Sequence, residues 1–238
     1  MLGRVITSDV PSPLAVIFDL DGTLVDSEPN YFEAGRGVLA RHGVRDFGWD
    51  EHLRFVGIGT RETLETLRRE YRLGVPVDEL LAETNHAYLE LAGTRTEAFP
   101  RMRAYVERLY AAGVPLAVAS GSSLRTIEAV LKCVGLTDRF AAVVSAEEVA
   151  RGKPGPDVFL EAARRLGVEP GECVVVEDAP PGAEAAHRAG MRCVGVPYAP
   201  SVAADPAFGT AGLLFPGGQA EFDAARAYAW VFDGSGGR

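Results

Sequence analysis

The chain is 238 residues long, with 24 basic residues against 33 acidic ones and a net charge of -9. Its 47% hydrophobic and 24% charged residues describe a globular protein of one large domain, or of one domain with a smaller companion, and not a disordered or fibrous chain. The acidic balance speaks against a nucleic-acid or anionic-membrane binder, yet leaves room for a small phosphorylated ligand, which needs only one local positive site. No apolar run approaches the ~18 residues of a membrane span. Cys133, Cys173 and Cys193 are too few and too scattered for a disulfide framework, and read as buried thiols of a reducing, cytoplasmic compartment. Only two residues are lysines, Lys132 and Lys153, so any chemistry that needs a lysine has two candidates.

Residues 1–13 read as a short, proline-broken leader with no signal-peptide pattern. Leu14 to Phe18 is a continuous apolar run, the pattern of a strand buried on both faces in a parallel sheet. From about Ser27 to Thr96 no strand-like run occurs. That stretch predicts helices over roughly 29–41, 61–72 and 78–91, with Leu64, Leu67 and Tyr71 on one stripe and Leu81 and Tyr88 on another. Strand-like runs then return at 115–119, 141–144, 173–176 and, more weakly, 193–196. Helical patterns over 101–112, 123–134, 157–166 and 182–189 each end at a glycine (Gly113, Gly135, Gly167, Gly190) placed for a left-handed helix stop. A tail helix is predicted near 219–230. Strand, helix, glycine, strand at this pitch predicts an α/β doubly wound parallel sheet. The helical stretch is too long for a crossover and is predicted as a small inserted all-helical cap domain over 27–95. The core would then be discontinuous, built from 14–26 and 96–238.

Ligands of an open α/β sheet bind beyond the carboxyl ends of the strands. The first strand ends in Asp19-Leu20-Asp21-Gly22-Thr23, the second in Ser120-Gly121-Ser122, and the fourth in Glu177-Asp178; Gly152-Lys153-Pro154 follows the third. Four carboxylates, a hydroxyl and a lysine thus fall on one rim. Crowded carboxylates raise one another's pKa unless a cation neutralises them, and oxygen donors of this kind suit a hard cation such as Mg²⁺. Lys153 is a compact positive charge suited to a carboxylate and an incoming phosphate. The Ser-Gly-Ser turn reads either as a phosphate-oxygen cradle or as an ordinary helix cap. Thr23 is placed to hydrogen-bond near Asp21 or to the loop backbone.

These residues form a pattern. Phe18-Asp19-Leu20-Asp21-Gly22-Thr23-Leu24-Val25-Asp26-Ser27 resembles the first motif of the haloacid dehalogenase-like superfamily. Ser120 matches its second motif, Lys153 its third, and Val176-Glu177-Asp178-Ala179-Pro180-Pro181-Gly182 its fourth, in that order along the chain. The helical insert resembles the cap of the branch that holds phosphoglycolate phosphatase, sugar-phosphate phosphatases and beta-phosphoglucomutase, and the core would be the Rossmann-like one of that superfamily. The resemblance implies Asp19 as nucleophile, forming an aspartyl-phosphate, and Asp21 as the acid and then the base. It implies Mg²⁺ held by Asp19, the Asp21 carbonyl and Asp178, with Glu177 contributing directly or through water. Ser120, Gly121 and Lys153 would bind the phosphoryl oxygens.

Within the superfamily, the second aspartate, Asp21, points to phosphoryl transfer and away from a dehalogenase. The absence of lysine from 27–95 points away from a phosphonatase, which uses a cap lysine. The position where beta-phosphoglucomutases carry a histidine is Tyr31, and no histidine precedes His42, so a phosphatase is favoured over a mutase. Arg54, Arg61, Tyr31 and His86 are the cap candidates for substrate recognition; Arg61 reads equally as a solvated first-turn arginine. A Mg²⁺-dependent phosphatase of a small phosphorylated metabolite, as a monomer or homodimer, is the reading that results, with a phosphosugar mutase as its alternative.

Overall fold

The computed structural model describes residues 14–56 and 58–232. Residues 1–13, read above as a leader, and Gly57 lie outside them. The first strand, β1 (Ala15–Phe18), is central in a six-stranded sheet. After it the chain makes a short strand, β2 (Val25–Asp26), and then four helices: α1 (Glu28–Arg41), α2 (Trp49–His52), α3 (Thr60–Glu70) and α4 (Val77–Arg95). It returns through β3 (Glu97–Ala98), which pairs antiparallel with β2, so this two-stranded ribbon is the stem of the helical insertion. The remainder alternates: α5 (Pro100–Ala111), β4 (Leu116–Ser120), α6 (Leu124–Cys133), β5 (Ala142–Ser145), α7 (Asp157–Leu166), β6 (Cys173–Glu177), α8 (Pro180–Arg188), β7 (Arg192–Gly195), β8 (Leu213–Leu214) and α9 (Ala224–Phe232).

The sheet order is β5-β4-β1-β6-β7-β8, and every pair is parallel. The strands are apolar up to their polar ends, at Ser120, Ser145 and Glu177, because both faces are covered. Alternate residues feed two separate cores. Val16, Phe18, Leu116, Val118, Val174 and Val176 join the cluster that includes Met102, Tyr105, Ile127 and Phe222. Ala15, Ile17, Ala117, Ala119, Cys173 and Val175 face Val158, Phe159 and Ala183 on the other side. The result is the doubly wound α/β core, with a helical cap insertion, that the strand pattern predicted.

Several local expectations shift. The buried stripe of α4 is Leu80, Thr84, Tyr88 and Ala92, so Leu80, not Leu81, carries the inward register. The tail helix begins at 224, not 219: residues 218–220 form a tight 3-10 turn, and Asp223 Oδ1 accepts the N–H groups of Ala225 and Arg226, capping α9. Cys173 and Cys193 are buried and Cys133 half-buried, all three as free thiols. No helix among the described residues is long and apolar enough to cross a membrane.

Candidate active site

The central strand delivers Asp19 between its two neighbours. The Asp19 N–H still donates to the Val176 carbonyl at 3.0 Å, so Asp19 leaves the sheet beside Glu177 and Asp178. The chain turns immediately at Gly22, whose φ is +80° and whose N–H donates to the Val25 carbonyl at 2.9 Å. Only glycine fits there. The backbone is left-handed, and a Cβ would lie 2.4 Å from Oδ2 of Asp178.

Asp19, Glu177 and Asp178 are all buried, and each offers a carboxylate oxygen within 4.8 Å of the others. Lys153 Nζ donates to Asp19 Oδ1 and Glu177 Oε1, both at 2.5 Å, and lies 4.9 Å from the centre of the Phe159 ring. The second oxygen of Glu177 accepts the backbone N–H groups of Asp178 (2.9 Å) and Ala179 (3.0 Å). Asp178 Oδ1 accepts the Thr23 hydroxyl at 2.8 Å. The Thr23 side chain thus serves Asp178 and not Asp21 or the loop backbone, while Gln219 Nε2 donates to the Thr23 carbonyl at 3.0 Å.

One ammonium faces three buried carboxylates, and the electrostatics follow. Burial pushes Asp19 up to about 7; Lys153 opposes the rise, and Glu177 and Asp21 add to it. Burial, and then the charges of Glu177 and Asp19, push Asp178 well above its ordinary range. For Lys153 burial acts downward, but Asp19 and Glu177 outweigh it and the ammonium is held more firmly than usual. The cluster is therefore short of positive charge and rich in oxygen donors, which fits a hard divalent cation.

Asp21 stands apart from that cluster in its hydrogen bonding. Its Oδ2 accepts the Ser122 hydroxyl at 2.7 Å and faces the Ser120 hydroxyl at 3.4 Å. Its Oδ1 accepts the hydroxyl of Tyr88, from α4 of the cap, at 2.7 Å. Burial, then the Asp21 charge, push the Tyr88 phenol well above its usual range, which keeps the hydroxyl protonated and donating. Tyr31 from α1 stacks on Tyr88 with ring centres 3.8 Å apart and planes 10° apart, and its hydroxyl lies 3.3 Å from Ser122 Oγ.

Ser120, at the end of β4, is buried and accepts the Ser122 N–H at 3.0 Å; Gly121 is exposed in the loop that follows. Ser145, at the end of β5, donates to the Ser122 carbonyl at 2.7 Å, and Ser123 caps α6 by accepting the Thr126 N–H at 3.2 Å. Of the four cap candidates, the structure brings Tyr31 to the site. The side chains of the other three engage carboxylates elsewhere: Arg54 pairs with Glu70 at 2.7 Å, Arg61 with Asp78 at 2.7 Å, and His86 with Glu90 at 3.5 Å. Sequence reasoning named Ser122 only as part of a turn and Tyr88 only as a core stripe residue. Its alternation with Ser120 was a usable signal for Ser122. Nothing local marks Tyr88, because its partner comes from a distant segment.

A buried carboxylate triad with a shared lysine, at the carboxyl ends of neighbouring strands and beside a second aspartate under a helical cap, defines an aspartate-based site for phosphoryl transfer. The haloacid dehalogenase-like hydrolase family model matches residues 16–196, and the chain belongs to that family, in the capped branch. It is 35% identical over 188 residues to the bifunctional riboflavin kinase/FMN phosphatase of Arabidopsis thaliana, across 78% of this chain and 48% of that protein; the chain thus spans about half the length of that relative. It is 35% identical over 181 residues to fructose-1-phosphate phosphatase YqaB of Escherichia coli, across 76% of this chain and 95% of that one. Among solved structures, CbbY from Rhodobacter sphaeroides in complex with phosphate superposes with a TM-score of 0.73 at 26% identity, over 88% of this chain and 99% of that chain. The protein belongs to a family of hydrolases, and its buried carboxylate cluster is the site at which such chemistry would take place.

Proposed function

We propose that the protein is a Mg²⁺-dependent phosphatase that hydrolyses the phosphate monoester of a small hydroxylated metabolite, a sugar phosphate or a phosphoglycolate-like acid. The observation that carries this reading is the division of labour between Asp19 and Asp21. Asp19 lies in the lysine-bridged carboxylate cluster, whereas Asp21 is held beside it by hydroxyl groups alone. Residues 14–26 and 96–238 are read as the catalytic core and 27–95 as the cap. The three free cysteines support a cytoplasmic location.

In the first step an Asp19 oxygen attacks phosphorus. The new O–P bond forms as the ester P–O bond breaks, and Asp21 gives its proton to the departing alcohol oxygen. In the second step Asp21 takes a proton from water as the water oxygen attacks phosphorus. The Asp19–phosphoryl bond then breaks, releasing phosphate and restoring the Asp19 carboxylate. Lys153 favours the ionised form of Asp19 and offsets charge on the transferred oxygens, with Ser120 and the Gly121 backbone binding those oxygens. Asp19, the Asp21 carbonyl and Asp178 would hold the cation, which would supply positive charge against the repulsion between carboxylate and phosphate dianion. Glu177 has one oxygen filled by two N–H groups and the other on Lys153, so it mainly orients the lysine and the Asp178 backbone.

The test is release of inorganic phosphate across a panel of sugar, polyol, glycolate and nucleotide phosphates, with and without Mg²⁺. Turnover that needs Mg²⁺ and disappears in Asp19→Asn is the expected result. Undiminished activity in Asp19→Asn would remove the nucleophile assignment. Isomerisation of a sugar phosphate without net phosphate release would identify a mutase instead.

A further inference from the structure

The Asp21 carboxyl is anchored from two sides that belong to different parts of the fold. Ser122, in the core loop after β4, fixes Oδ2 at 2.7 Å; Tyr88, on cap helix α4, fixes Oδ1 at 2.7 Å. The core alone therefore holds one oxygen, and the carboxyl can still rotate about that anchor. The second anchor is supplied by the cap.

We propose that Tyr88 is a positioning residue supplied by the cap, its hydroxyl orienting the Asp21 carboxyl for proton transfer to the leaving alcohol. The inference rests on the acid–base role given to Asp21 above. Tyr88 is built for a fixed geometry. It is 3% exposed, lies in the buried stripe with Leu80, Thr84 and Ala92, and has its ring clamped by the parallel face of Tyr31. A hydroxyl on a ring so held has little freedom besides rotation of its own proton. Tyr31 ties the same loop from a second cap helix through Ser122. Asp19 and Asp178, by contrast, take their hydrogen bonds from Lys153 and Thr23 of the core. The cap thus holds the acid–base group and takes no part in the side-chain hydrogen bonding of the nucleophile. Proton transfer from a general acid is worth ~10²–10⁴ in rate and depends on orientation, so one lost anchor forfeits a part of that factor.

The separating experiment is Tyr88→Phe, which keeps the ring and its stack and removes one hydroxyl. It is assayed by kcat/KM on two substrates, fructose 1-phosphate and p-nitrophenyl phosphate. This ratio reports steps up to departure of the leaving group. A sugar alcohol needs a proton to depart; nitrophenolate does not. The expected result is a loss of about tenfold on fructose 1-phosphate and within about twofold on p-nitrophenyl phosphate, with Asp21→Asn giving the same contrast more strongly. Equal losses on both substrates, or no loss on either, would overturn the proposal. A partly unfolded variant lowers both alike, so the contrast survives a change in stability. If Asp19→Asn keeps its activity, or Asp21→Asn shows no contrast while Tyr88→Phe does, it is the underlying catalytic assignment that fails.

Discussion

A methyl group on residue 182 would have to occupy space already filled by the Glu177 carboxylate. A Cβ built on Gly182 lies 1.8 Å from Oε1 of Glu177, the oxygen that receives Lys153. Glu177 is 1% exposed and makes three hydrogen bonds, so it has no second position to adopt without abandoning the lysine or the Asp178 and Ala179 N–H groups. Gly182→Ala is therefore expected to destabilise the protein by about 3 kcal/mol, the order of cost for breaking a buried charge pair, and to lower phosphatase activity at least tenfold. Urea denaturation and phosphate release measure the two effects; a variant with the parent's midpoint and activity would show that helix α8 retreats freely from Glu177. At this scale the sequence was most readable where a motif is contiguous. Asp19, Asp21, Lys153, Glu177 and Asp178 announce themselves by following apolar runs or by being a rare residue type. Tyr88 does not, because its hydroxyl meets Asp21 only through the way the cap rests on the core.

Helices and strands were legible in proportion to how completely their packing repeats. The buried strands β1, β4, β5 and β6 show as unbroken apolar runs because both faces are covered, and the helices between them stop at glycines with positive φ. The two-residue strands β2, β3 and β8 carry no periodicity long enough to read, yet β2 and β3 make the stem of the cap. The cap's first helix also shows where local propensity is left unoptimised. Gly37 is exposed within α1, and a Cβ there meets nothing within 4 Å. Gly37→Ala should raise stability by about 0.5–1 kcal/mol through helix propensity and a less flexible unfolded chain, with phosphatase activity unchanged. A denaturation midpoint equal to or below the parent's would mean that α1 relies on backbone freedom at that position.

The whole molecule carries a net charge of -9 and still places three carboxylates together in its interior. The consequence is a stability that depends on pH and on a cation. Without metal, burial raises Asp19 from 3.8 to about 7, so across that window the folded state keeps a proton that the unfolded chain releases. Stability falls wherever the folded state binds more protons, so Asp19 contributes a loss of stability to the metal-free protein as pH rises from about 4 to about 7. Asp178, raised in the same sense, adds to the loss. A divalent cation on Asp19 and Asp178 favours their ionised forms and offsets this penalty, and its effect must therefore grow with pH. Saturating Mg²⁺ should raise Tm more at about pH 8 than at about pH 5, measured by scanning calorimetry. Because any salt screens the surface repulsion of an acidic protein, the comparison requires NaCl at matched ionic strength. Asp178→Asn should lose most of the Mg²⁺-specific increment at the higher pH. An increment that is the same at both pH values, or that persists in Asp178→Asn, would place the cation's effect on the acidic surface instead of the buried cluster.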